Sequence, residues 1–326
     1  MTPSTPVVLS IVLPAYNEED AIGPALSAIT VEIETIGEPF EIVVVDDGST
    51  DATVAMLRTA ADQDRRIRTV LLSRNFGKES AMAAGLEAAA GDAVLFMDAD
   101  LQHPPSLIPE MLRLWRSGHD VVSAVKETRA DESLVYRGMA TLFNSMMGGA
   151  AGGSFRGASD FKLLDRQVVD AIKSCEERGR FFRGLVTWVG FKTAQVPFTV
   201  AERVAGRTKW SIASLVRYSL QNLISFSALP LKLVAFLGFG TLVFAFGLGA
   251  QTLYRYLTGA ALSGFTTVIL LQLILGGLLL LSLGVVALYV AEIYKEVKAR
   301  PIFVVRRPRN APTKQSGDGI DLTERG

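Results

Sequence analysis

The stretch Ala93-Val94-Leu95-Phe96-Met97-Asp98-Ala99-Asp100-Leu101-Gln102 places two carboxylates directly after a short apolar run. Such a run is typical of a buried central strand, and open α/β sheets bind ligands at the carboxyl ends of these strands. Alternate side chains of an extended chain share one face, so Asp98, Asp100 and Gln102 are candidate ligands for a single cation. Their oxygens suit Mg²⁺ or Mn²⁺ that is also held by the phosphates of a substrate. Taken alone, an Asp-x-Asp pattern more often marks a solvated turn at the start of a helix.

Two earlier strand-like runs, both largely apolar, end in the same way. The run at 40–45 leads into Asp46-Asp47-Gly48-Ser49-Thr50-Asp51, and the run at 7–13 leads into Pro14-Ala15-Tyr16-Asn17-Glu18-Glu19. Gly48 suits a tight turn, and Ser49, Thr50 or Asp51 can cap the helix that follows. Ordinary loop chemistry accounts for these caps, but not for so many carboxylates beside apolar strand ends. The sequence therefore predicts a binding site where three polar loops meet.

Strand-like and helix-like segments alternate over the first part of the chain. The strand-like runs lie at 7–13, 40–45, 67–72, 93–97 and 120–124, and the helix-like segments lie at 21–36, 52–61, 79–90 and 107–115. This alternation predicts a Rossmann-like α/β domain, with a mostly parallel sheet covered on both faces. The absence of a Gly-x-Gly-x-x-Gly or Walker sequence argues against a dinucleotide site and an ATPase P-loop. A glycine-rich stretch at 148–153 is either a mobile loop or a filler between helices.

Two long segments near the carboxyl end contain no charged residue: 22 positions at 233–254 and 28 positions at 264–291. At about 1.5 Å per residue the shorter one spans about 33 Å as a helix, against a hydrocarbon core of about 30 Å. We expect two transmembrane helices, the alternative being a pair of buried core helices. Basic residues flank the pair on one side, whereas the connecting segment has only Arg255. Both termini and the N-terminal domain should therefore lie in the cytoplasm, at the cytoplasmic membrane.

The charges balance overall, with 33 basic and 33 acidic residues, but they are unevenly distributed. Between 178 and 217 eight Lys or Arg residues accompany the single acid Glu202, an excess that suits a lipid head group or an acidic substrate. No nucleic-acid recognition motif accompanies this charge, which argues against nucleic acid as a partner. The single cysteine, Cys175, agrees with a reducing compartment.

Apolar residues at helical spacing between 211 and 227 predict an amphipathic helix, either in the membrane interface or facing a core. We therefore divide the chain into a cytoplasmic domain at 1–210, an interface helix at 211–230, two spans within 231–292 and a basic cytoplasmic tail at 293–326. The spacing Ala245-x-x-x-Gly249 in the first span is compatible with close helix packing in a homo-oligomer.

Several motifs resemble those of the family 2 glycosyltransferases, and more closely those of the polyprenyl-phosphate glycosyltransferases, which include dolichyl-phosphate mannose synthases and bactoprenol glucosyltransferases. The resemblance covers residues 7–300 and rests on the order and spacing of the motifs together with the paired spans. The motifs are Leu13-Pro14-Ala15-Tyr16-Asn17-Glu18-Glu19, Val45-Asp46-Asp47-Gly48-Ser49-Thr50-Asp51, Ser73-Arg74-Asn75-Phe76-Gly77-Lys78-Glu79, Asp98-Ala99-Asp100-Leu101-Gln102-His103-Pro104-Pro105, Ser159-Asp160-Phe161, Arg180-Phe181-Phe182-Arg183-Gly184-Leu185 and Arg203-x-x-Gly206-Arg207-Thr208-Lys209-Trp210.

The resemblance implies a nucleotide-diphospho-sugar transferase domain with the GT-A fold. It assigns the nucleoside to Pro14, Ala15, Tyr16, Glu18 and Asp47, and the metal on the diphosphate to Asp98, Asp100 and Gln102. Lys78 joins the substrate-binding residues. Phosphate groups of donor or acceptor are assigned to Arg129, Arg137, Arg203 and Lys209, although the first two fit a surface position as well.

Two further positions follow from the same resemblance. Asp160 matches the family's base position, where it acts as a base, orients the acceptor or, alternatively, only caps a helix. His103 stands where relatives often carry an acid. As a lone histidine it is more typical of a surface or capping group than of a metal ligand, and no ligand role is assigned to it.

By this resemblance the reaction is an inverting, metal-dependent transfer of one hexose from a nucleotide-sugar to a polyprenyl monophosphate, giving a lipid-linked sugar for the cell envelope. UDP-glucose is the first expected donor, because of the segment Arg74-Asn75-Phe76-Gly77-Lys78, and GDP-mannose is the second. The absence of a Gln-x-x-Arg-Trp segment argues against a processive polymerase. A transferase acting on a polysaccharide or a diacylglycerol is an alternative. A non-catalytic nucleotide-sugar-binding subunit is another, which the presence of Asp98, Asp100 and Asp160 disfavours.

Overall fold

The computed structural model describes residues 8–126, 158–178, 180–199, 229–258 and 264–306. These residues contain a sheet made of β1 (Leu9–Ala15), β2 (Phe40–Asp46), β3 (Ile67–Leu71), β4 (Ala93–Phe96), β5 (Val121–Lys126), β6 (Ala158–Asp165) and β7 (Thr193–Phe198). The strand order is β3-β2-β1-β4-β6-β5-β7. The first four strands run parallel to one another, β6 runs antiparallel to both of its neighbours, and β7 is parallel to β5.

The predicted α/β fold with a mostly parallel sheet is confirmed. All five predicted strands are present, with ends shifted by no more than two residues. Strands β6 and β7 are not among the predicted ones. Asp160 and Lys162 interrupt the apolar pattern of β6 although both are buried, and β7 contains Pro197, which an edge strand tolerates.

Helices cover both faces of the sheet. They are α1 (Ile22–Ile36), α2 (Thr53–Gln63), α3 (Lys78–Ala88), α4 (Ile108–Arg116), α5 (Arg166–Lys173) and α6 (Phe182–Trp188), with a 3-10 turn (Pro105–Leu107) before α4. One apolar layer lies between the sheet and α1, α2 and α4, and the other lies between the sheet and α3, α5 and α6. Every residue of β2 and β4 is buried, as expected of central parallel strands covered on both sides.

Helix α3 lies close to the sheet because its inner face is built of small residues. Ala81 and Ala84 are buried there. At Gly85 a Cβ would lie 2.1 Å from Cγ1 of Val12 on β1, so a larger residue would push the helix away from the sheet. Since α3 begins at Lys78, this close fit fixes where Lys78 stands relative to the carboxyl end of the sheet.

Two long helices, α7 (Leu229–Leu257) and α8 (Phe265–Lys298), follow the sheet domain. The segments Pro230–Arg255 and Leu271–Lys298 have mean hydropathies of 2.1 and 2.6, and their most apolar windows are not buried at all. Both helices are therefore long and apolar enough to cross a membrane, as the sequence predicts, and they are not buried core helices. Helix α8 ends at Ala299, whose φ of 52° is left-handed, and Pro301 prevents the helix from continuing.

Some predicted features lie outside the described residues. These are the glycine-rich stretch at 148–153, the tail beyond residue 306, and the interface helix at 211–230 apart from its last two positions, which begin α7. The division of the chain at 210, 230 and 292 stays a prediction.

Candidate functional site

Hydrogen bonds join the loops that follow β1 and β2. Asn17 is central to them, because its Oδ1 accepts from the N–H of Thr50 at 2.8 Å and its own N–H donates to Ser49 Oγ at 2.9 Å. The φ of Asn17 is 53°, a left-handed value that asparagine tolerates better than most residues. Ser49 and Thr50 thus bind the neighbouring loop rather than a helix end. Asp51 precedes the N-cap residue Ala52, and its Oδ1 accepts from the N–H of Thr53, the first residue of α2, at 3.0 Å. The two strand ends form one continuous rim.

The turn Asp46-Asp47-Gly48 holds residues 74–77 against this rim. Asp47 is buried, and its carboxylate oxygens accept from the N–H groups of Phe76 at 2.7 Å and Gly77 at 2.8 Å. Burial raises the pKa of Asp47, and these two hydrogen bonds offset that effect only in part. Gly48 has a φ of 74°, and a Cβ there would lie 2.5 Å from the carbonyl carbon of Arg74, so glycine alone fits. Asp47 therefore already holds this loop, and its contact with a nucleoside stays a prediction.

A cluster of alternating charges joins four residues that are far apart in the sequence. Lys78 Nζ lies 2.6 Å from Asp98 Oδ1 and 2.7 Å from Asp160 Oδ2. Arg183 binds the same Asp160 through two nitrogens, with Nε 2.6 Å from Oδ1 and Nη2 3.1 Å from Oδ2. The four side chains come from the start of α3, the end of β4, strand β6 and helix α6. We call Lys78, Asp98, Asp160 and Arg183 the charge cluster.

Asp160 is the most enclosed member of the charge cluster. Its side chain is 11% exposed, against 36% for Arg183 and 39% for Lys78. Burial alone would raise the pKa of Asp160, but Lys78 and Arg183 outweigh burial and hold this pKa well below its usual range. Partial enclosure likewise lowers the pKa of Lys78, and Asp98 and Asp160 more than reverse the effect, so that this pKa is raised. Asp160 and Lys78 both stay charged at neutral pH.

The chain turns sharply after β4. Leu101 has a left-handed φ of 56°, and Asp100 Oδ1 accepts from the N–H of Gln102 at 3.1 Å. This bond closes the turn and keeps Asp100 and Gln102 at the strand end, next to Asp98. All three predicted metal ligands therefore lie on one short turn at the rim.

His103 lies behind this turn and is buried. Its ring stacks on Phe161 with 5.1 Å between centroids and meets the edge of Phe198 at 5.7 Å. Its Nδ1 faces the N–H of Asp98 at 3.4 Å. Burial lowers the pKa of His103, which keeps the ring neutral and able to accept that hydrogen bond. Of the two roles expected of a lone histidine, the surface one does not apply to His103, whereas its bond with the N–H of Asp98 fits a capping role. This side chain supports the turn from the core side.

The donor atoms on the turn fit a divalent ion that is shared with a substrate. The described residues contain no group of three or more His, Cys, Asp or Glu side chains that could hold a metal ion. Two carboxylates and an amide instead suit Mg²⁺ or Mn²⁺ whose remaining ligands are phosphate oxygens and water. The Asp98 side chain is 30% exposed, and its Oδ1 is paired with Lys78 Nζ at 2.6 Å. The assignment of Asp98, Asp100 and Gln102 as ligands stays a prediction.

The nucleoside-binding residues predicted in the first loop differ in accessibility. Tyr16 is exposed, whereas the side chain of Ala15 lies in the core and its carbonyl accepts from the N–H of Asp47 at 2.9 Å. Pro14 lies within β1, and the N–H of Glu18 donates to Thr53 Oγ1 at 2.9 Å. The structure brings this loop to the rim and leaves the Tyr16 ring accessible. The predicted phosphate-binding residues Arg129, Arg137, Arg203 and Lys209 lie outside the described residues.

Two cations near Asp160, Arg183 and Lys162, are not among the predicted site residues. Lys162 is buried two positions along β6 from Asp160 and donates to Ser123 Oγ at 2.8 Å. Burial and the nearby Arg183 lower the pKa of Lys162 to about 8. The sequence contains a hint for both residues. Arg183 belongs to the motif at 180–185, and Lys162 is two positions from Asp160, which places both on one face of a strand. Their pairing depends on tertiary contacts that the sequence does not display.

The chain is similar in sequence to several known proteins. A family model described as glycosyl transferase family 2 matches residues 10–171. An uncharacterized glycosyltransferase of Synechocystis sp. is 39% identical over 301 residues, which cover 92% of this chain and 95% of the relative. A prophage bactoprenol glucosyl transferase homolog of Escherichia coli K12 is 35% identical over 301 residues, covering 92% and 98%. Among solved structures, a glucosyl-3-phosphoglycerate synthase from Mycobacterium tuberculosis has a TM-score of 0.48 and 22% identity, covering 68% of this chain and 80% of that one.

The protein is thus a glycosyltransferase with a GT-A-like mixed α/β domain and two helices of membrane-spanning length. The chain belongs to glycosyl transferase family 2, and its resemblance to the bactoprenol glucosyltransferases is confirmed.

Proposed function

We propose that this glycosyltransferase moves one hexose from a nucleotide-sugar to a polyprenyl monophosphate in the membrane, with inversion at the anomeric carbon. The charge cluster is the observation that carries this proposal, because Lys78 bridges Asp98 on the predicted metal turn to Asp160. Helices α7 and α8, together with relatives named bactoprenol glucosyl transferase at 35% identity, support a lipid acceptor. UDP-glucose is the first expected donor, and GDP-mannose is the second.

The donor is assigned to the rim. Asp98, Asp100 and Gln102 would hold Mg²⁺ or Mn²⁺, which when bound neutralises charge on the departing nucleoside diphosphate. Tyr16 offers an exposed ring beside Pro14, Ala15 and Glu18 for the nucleoside. Lys78 is close enough to Asp98 to contact a phosphate held at the same place. Arg129, Arg137, Arg203 and Lys209 are the further candidates for phosphate contacts.

The acceptor needs little help from a base. A phosphate monoester has a second pKa of about 6 and is largely anionic at neutral pH. Because Lys78 and Arg183 hold the pKa of Asp160 far down, this carboxylate is a weak proton acceptor. We therefore assign Asp160 to orienting the reacting groups and to stabilising positive charge that develops on the sugar. Lys78 and Arg183 fix the direction of its two oxygens.

The orientation in the membrane is also a proposal. Lys295, Lys298 and Arg300 follow the apolar part of α8, whereas Arg255, in the last turn of α7, is the one basic residue at the other end of the two helices. This asymmetry favours a cytoplasmic location for the catalytic domain and both termini. Nucleotide-sugars would then reach the site from the same compartment.

A donor panel tests the proposed function most broadly. The purified protein, reconstituted with undecaprenyl phosphate, is incubated with labelled nucleotide-sugars and Mg²⁺ or Mn²⁺. We expect UDP-glucose to give a single lipid-linked glucose that mild acid releases. A better rate with GDP-mannose would change the sugar, and a growing polymer or a diacylglycerol product would replace the acceptor. No lipid-linked product with any donor would contradict the proposal.

A matched pair of variants tests the role of the rim. Asp100→Ala should abolish transfer, because it removes one of two carboxylates that would hold the metal. Asp92→Ala is the control, since Asp92 is exposed and lies at the opposite end of β4. Transfer by Asp100→Ala at the rate of the control would remove the metal assignment.

A further inference from the structure

Residues 301–306, which follow α8, return to the edge of the catalytic sheet. Val305 forms an antiparallel bridge with Leu72, directly after β3. The N–H of Ser73 donates to the carbonyl of Val304 at 2.8 Å, and the N–H of Arg306 donates to the carbonyl of Leu71 at 2.7 Å. We call residues 301–306 the return segment. It covers part of the edge that β3 would otherwise leave open.

A second set of contacts holds the end of α8 to the domain. The N–H of Arg178 donates to Glu296 Oε1 at 2.8 Å, and its guanidinium donates to the carbonyl of Arg300. Beyond the turn, Phe303 packs against the apolar layer that contains Leu72. The chain is therefore attached to the catalytic domain on both sides of the point where the helix stops.

The strand end that the return segment holds leads directly to the charge cluster. On its other side the N–H of Leu72 donates to the carbonyl of Asp46 at 2.9 Å, so residues 71–73 lie between β2 and the return segment. Residues 74–77 are then held by Asp47 and packed on Gly48. Lys78 follows immediately in the chain. Few of the residues between the return segment and Lys78 are free to shift independently.

We propose that the return segment is a positioning element for sugar transfer, which fixes the charge cluster at a set height above the membrane end of α8. This inference rests on the proposed lipid acceptor, because only an acceptor held in a bilayer requires a set height. The two backbone hydrogen bonds that flank the Leu72–Val305 bridge suit the task, since a one-residue slip would turn the paired side chains to the opposite face. The contacts of Arg178 hold only the end of α8, so they do not fix how the return segment pairs with residues 71–73.

Two proline substitutions test whether the backbone hydrogen bonds of the return segment matter, or only the fact that the segment is there. Arg306→Pro removes the N–H that binds Leu71. Val305→Pro is the matched control, because residues in a non-hydrogen-bonded antiparallel pair direct their N–H groups away from the partner strand. Both variants are made in the full-length protein in lipid nanodiscs. Each is assayed with undecaprenyl phosphate in the bilayer and with a short, water-soluble prenyl phosphate.

We expect Arg306→Pro to lower kcat with the bilayer acceptor by about 10- to 100-fold. With the soluble acceptor, its kcat should stay within about twofold of the wild-type value. Val305→Pro should keep both rates. An equal loss with both acceptors would indicate a purely structural role and overturn the proposal. A bilayer rate for Arg306→Pro equal to that of the control would overturn it as well.

Hydrogen exchange gives a reading that needs no acceptor. Arg306→Pro should speed amide exchange at Ser73 and across 74–77, whereas Val305→Pro should leave their protection unchanged. If the wild type glycosylates neither acceptor, the proposed function fails. In that case faster exchange in Arg306→Pro still supports the hold on the loop, and unchanged exchange overturns it.

Discussion

Two carboxylates buried against the sheet, Glu41 and Asp160, are kept ionised in different ways. Glu41 lies near the amino end of β2, away from the rim, and accepts from Ser10 Oγ at 2.6 Å, the N–H of Ala90 at 2.7 Å and Arg68 at 2.5 Å. Burial alone would raise the pKa of Glu41, and these partners together lower it. The oxygens of Asp160 accept from the side chains of Lys78 and Arg183.

The difference lies in what the partners can do next. Two partners of Glu41, a strand hydroxyl and a backbone N–H, belong to the fold. The third, Arg68, lies on β3 away from the rim and also donates to the carbonyl of Ala88. Lys78 and Arg183 are partly exposed cations on separate helices, and cations of this kind can also bind phosphate. The carboxylate of Glu41 therefore stabilises the fold, whereas that of Asp160 organises charge where a substrate would bind.

Activity should separate the two carboxylates most strongly. Asp160→Ala should lower kcat by about 100- to 1000-fold, because preorganised charge near the sugar is lost. Asp160→Asn should retain more of the rate, since one acceptor oxygen remains. Glu41→Gln should stay within about twofold per folded molecule. Transfer assays normalised to the folded fraction provide the check, and equal losses in the two positions would remove the distinction.

The next largest expected effect is a loss of stability when Glu41 is replaced. Glu41→Ala should lower the free energy of unfolding by about 2–4 kcal/mol, because it leaves a buried N–H and a hydroxyl without their acceptor. Glu34→Ala is the control, since its pair with Arg66 at 2.8 Å is exposed and such pairs contribute about 0–1 kcal/mol. Urea unfolding of both variants measures the difference. Similar losses would mean that the bonds of Glu41 carry no special weight.

A conservative substitution tests the contact that two nitrogens of Arg183 make with Asp160. Arg183→Lys keeps the charge but loses the planar fork, so we expect kcat to fall by about tenfold with the donor KM unchanged. Arg113→Lys is the matched control. Arg113 makes the same kind of two-nitrogen contact with Glu110, at 2.8 and 2.6 Å, on the exposed face of α4. A donor KM that rises while kcat stays constant would place Arg183 in binding instead.

The smallest expected effect is a change in how the unfolding temperature depends on pH in the acidic range. Folding lowers the pKa of Glu41, so its stabilising contribution is present at neutral pH and is lost as the pH falls through the folded-state value. Glu41→Gln should therefore show a flatter decline in unfolding temperature below about pH 5. Its curve near neutral pH should run parallel to that of the wild type. Unfolding temperatures measured across this range test the sign, and a decline as steep as in the wild type would refute it.

Local patterns predict the parallel half of the fold well. Strands β1, β2 and β4 are largely apolar, with Ser10 in β1 and Glu41 and Asp46 in β2 as the polar residues. Each leads into a polar loop, so both the sheet and its functional edge are visible in the sequence. Helices α7 and α8 are equally evident, because uncharged runs of this length are rare outside membrane-spanning helices. Strands β6 and β7 lack this clarity, since β6 buries charged side chains and β7 lies at an edge.

The site is predictable only in part, because some of its residues lie on or against strands β6 and β7, which lack a clear sequence pattern. Asp98, Asp100 and Gln102 follow one strand, so their proximity is a local matter. Arg183 on helix α6 reaches Asp160 on strand β6. His103 is buried by Phe161 and Phe198, which lie on strands that the pattern does not reveal. These contacts come from the antiparallel part of the sheet, where sequence separation hides which residues meet.

A structure of the full-length protein with Mn²⁺ and UDP-glucose would test the proposed donor site most directly. We expect a metal signal beside Asp98 and Asp100 in contact with the diphosphate, with Lys78 and Asp160 beside the sugar. A diphosphate bound away from the turn after β4, or a metal held by other residues, would contradict it.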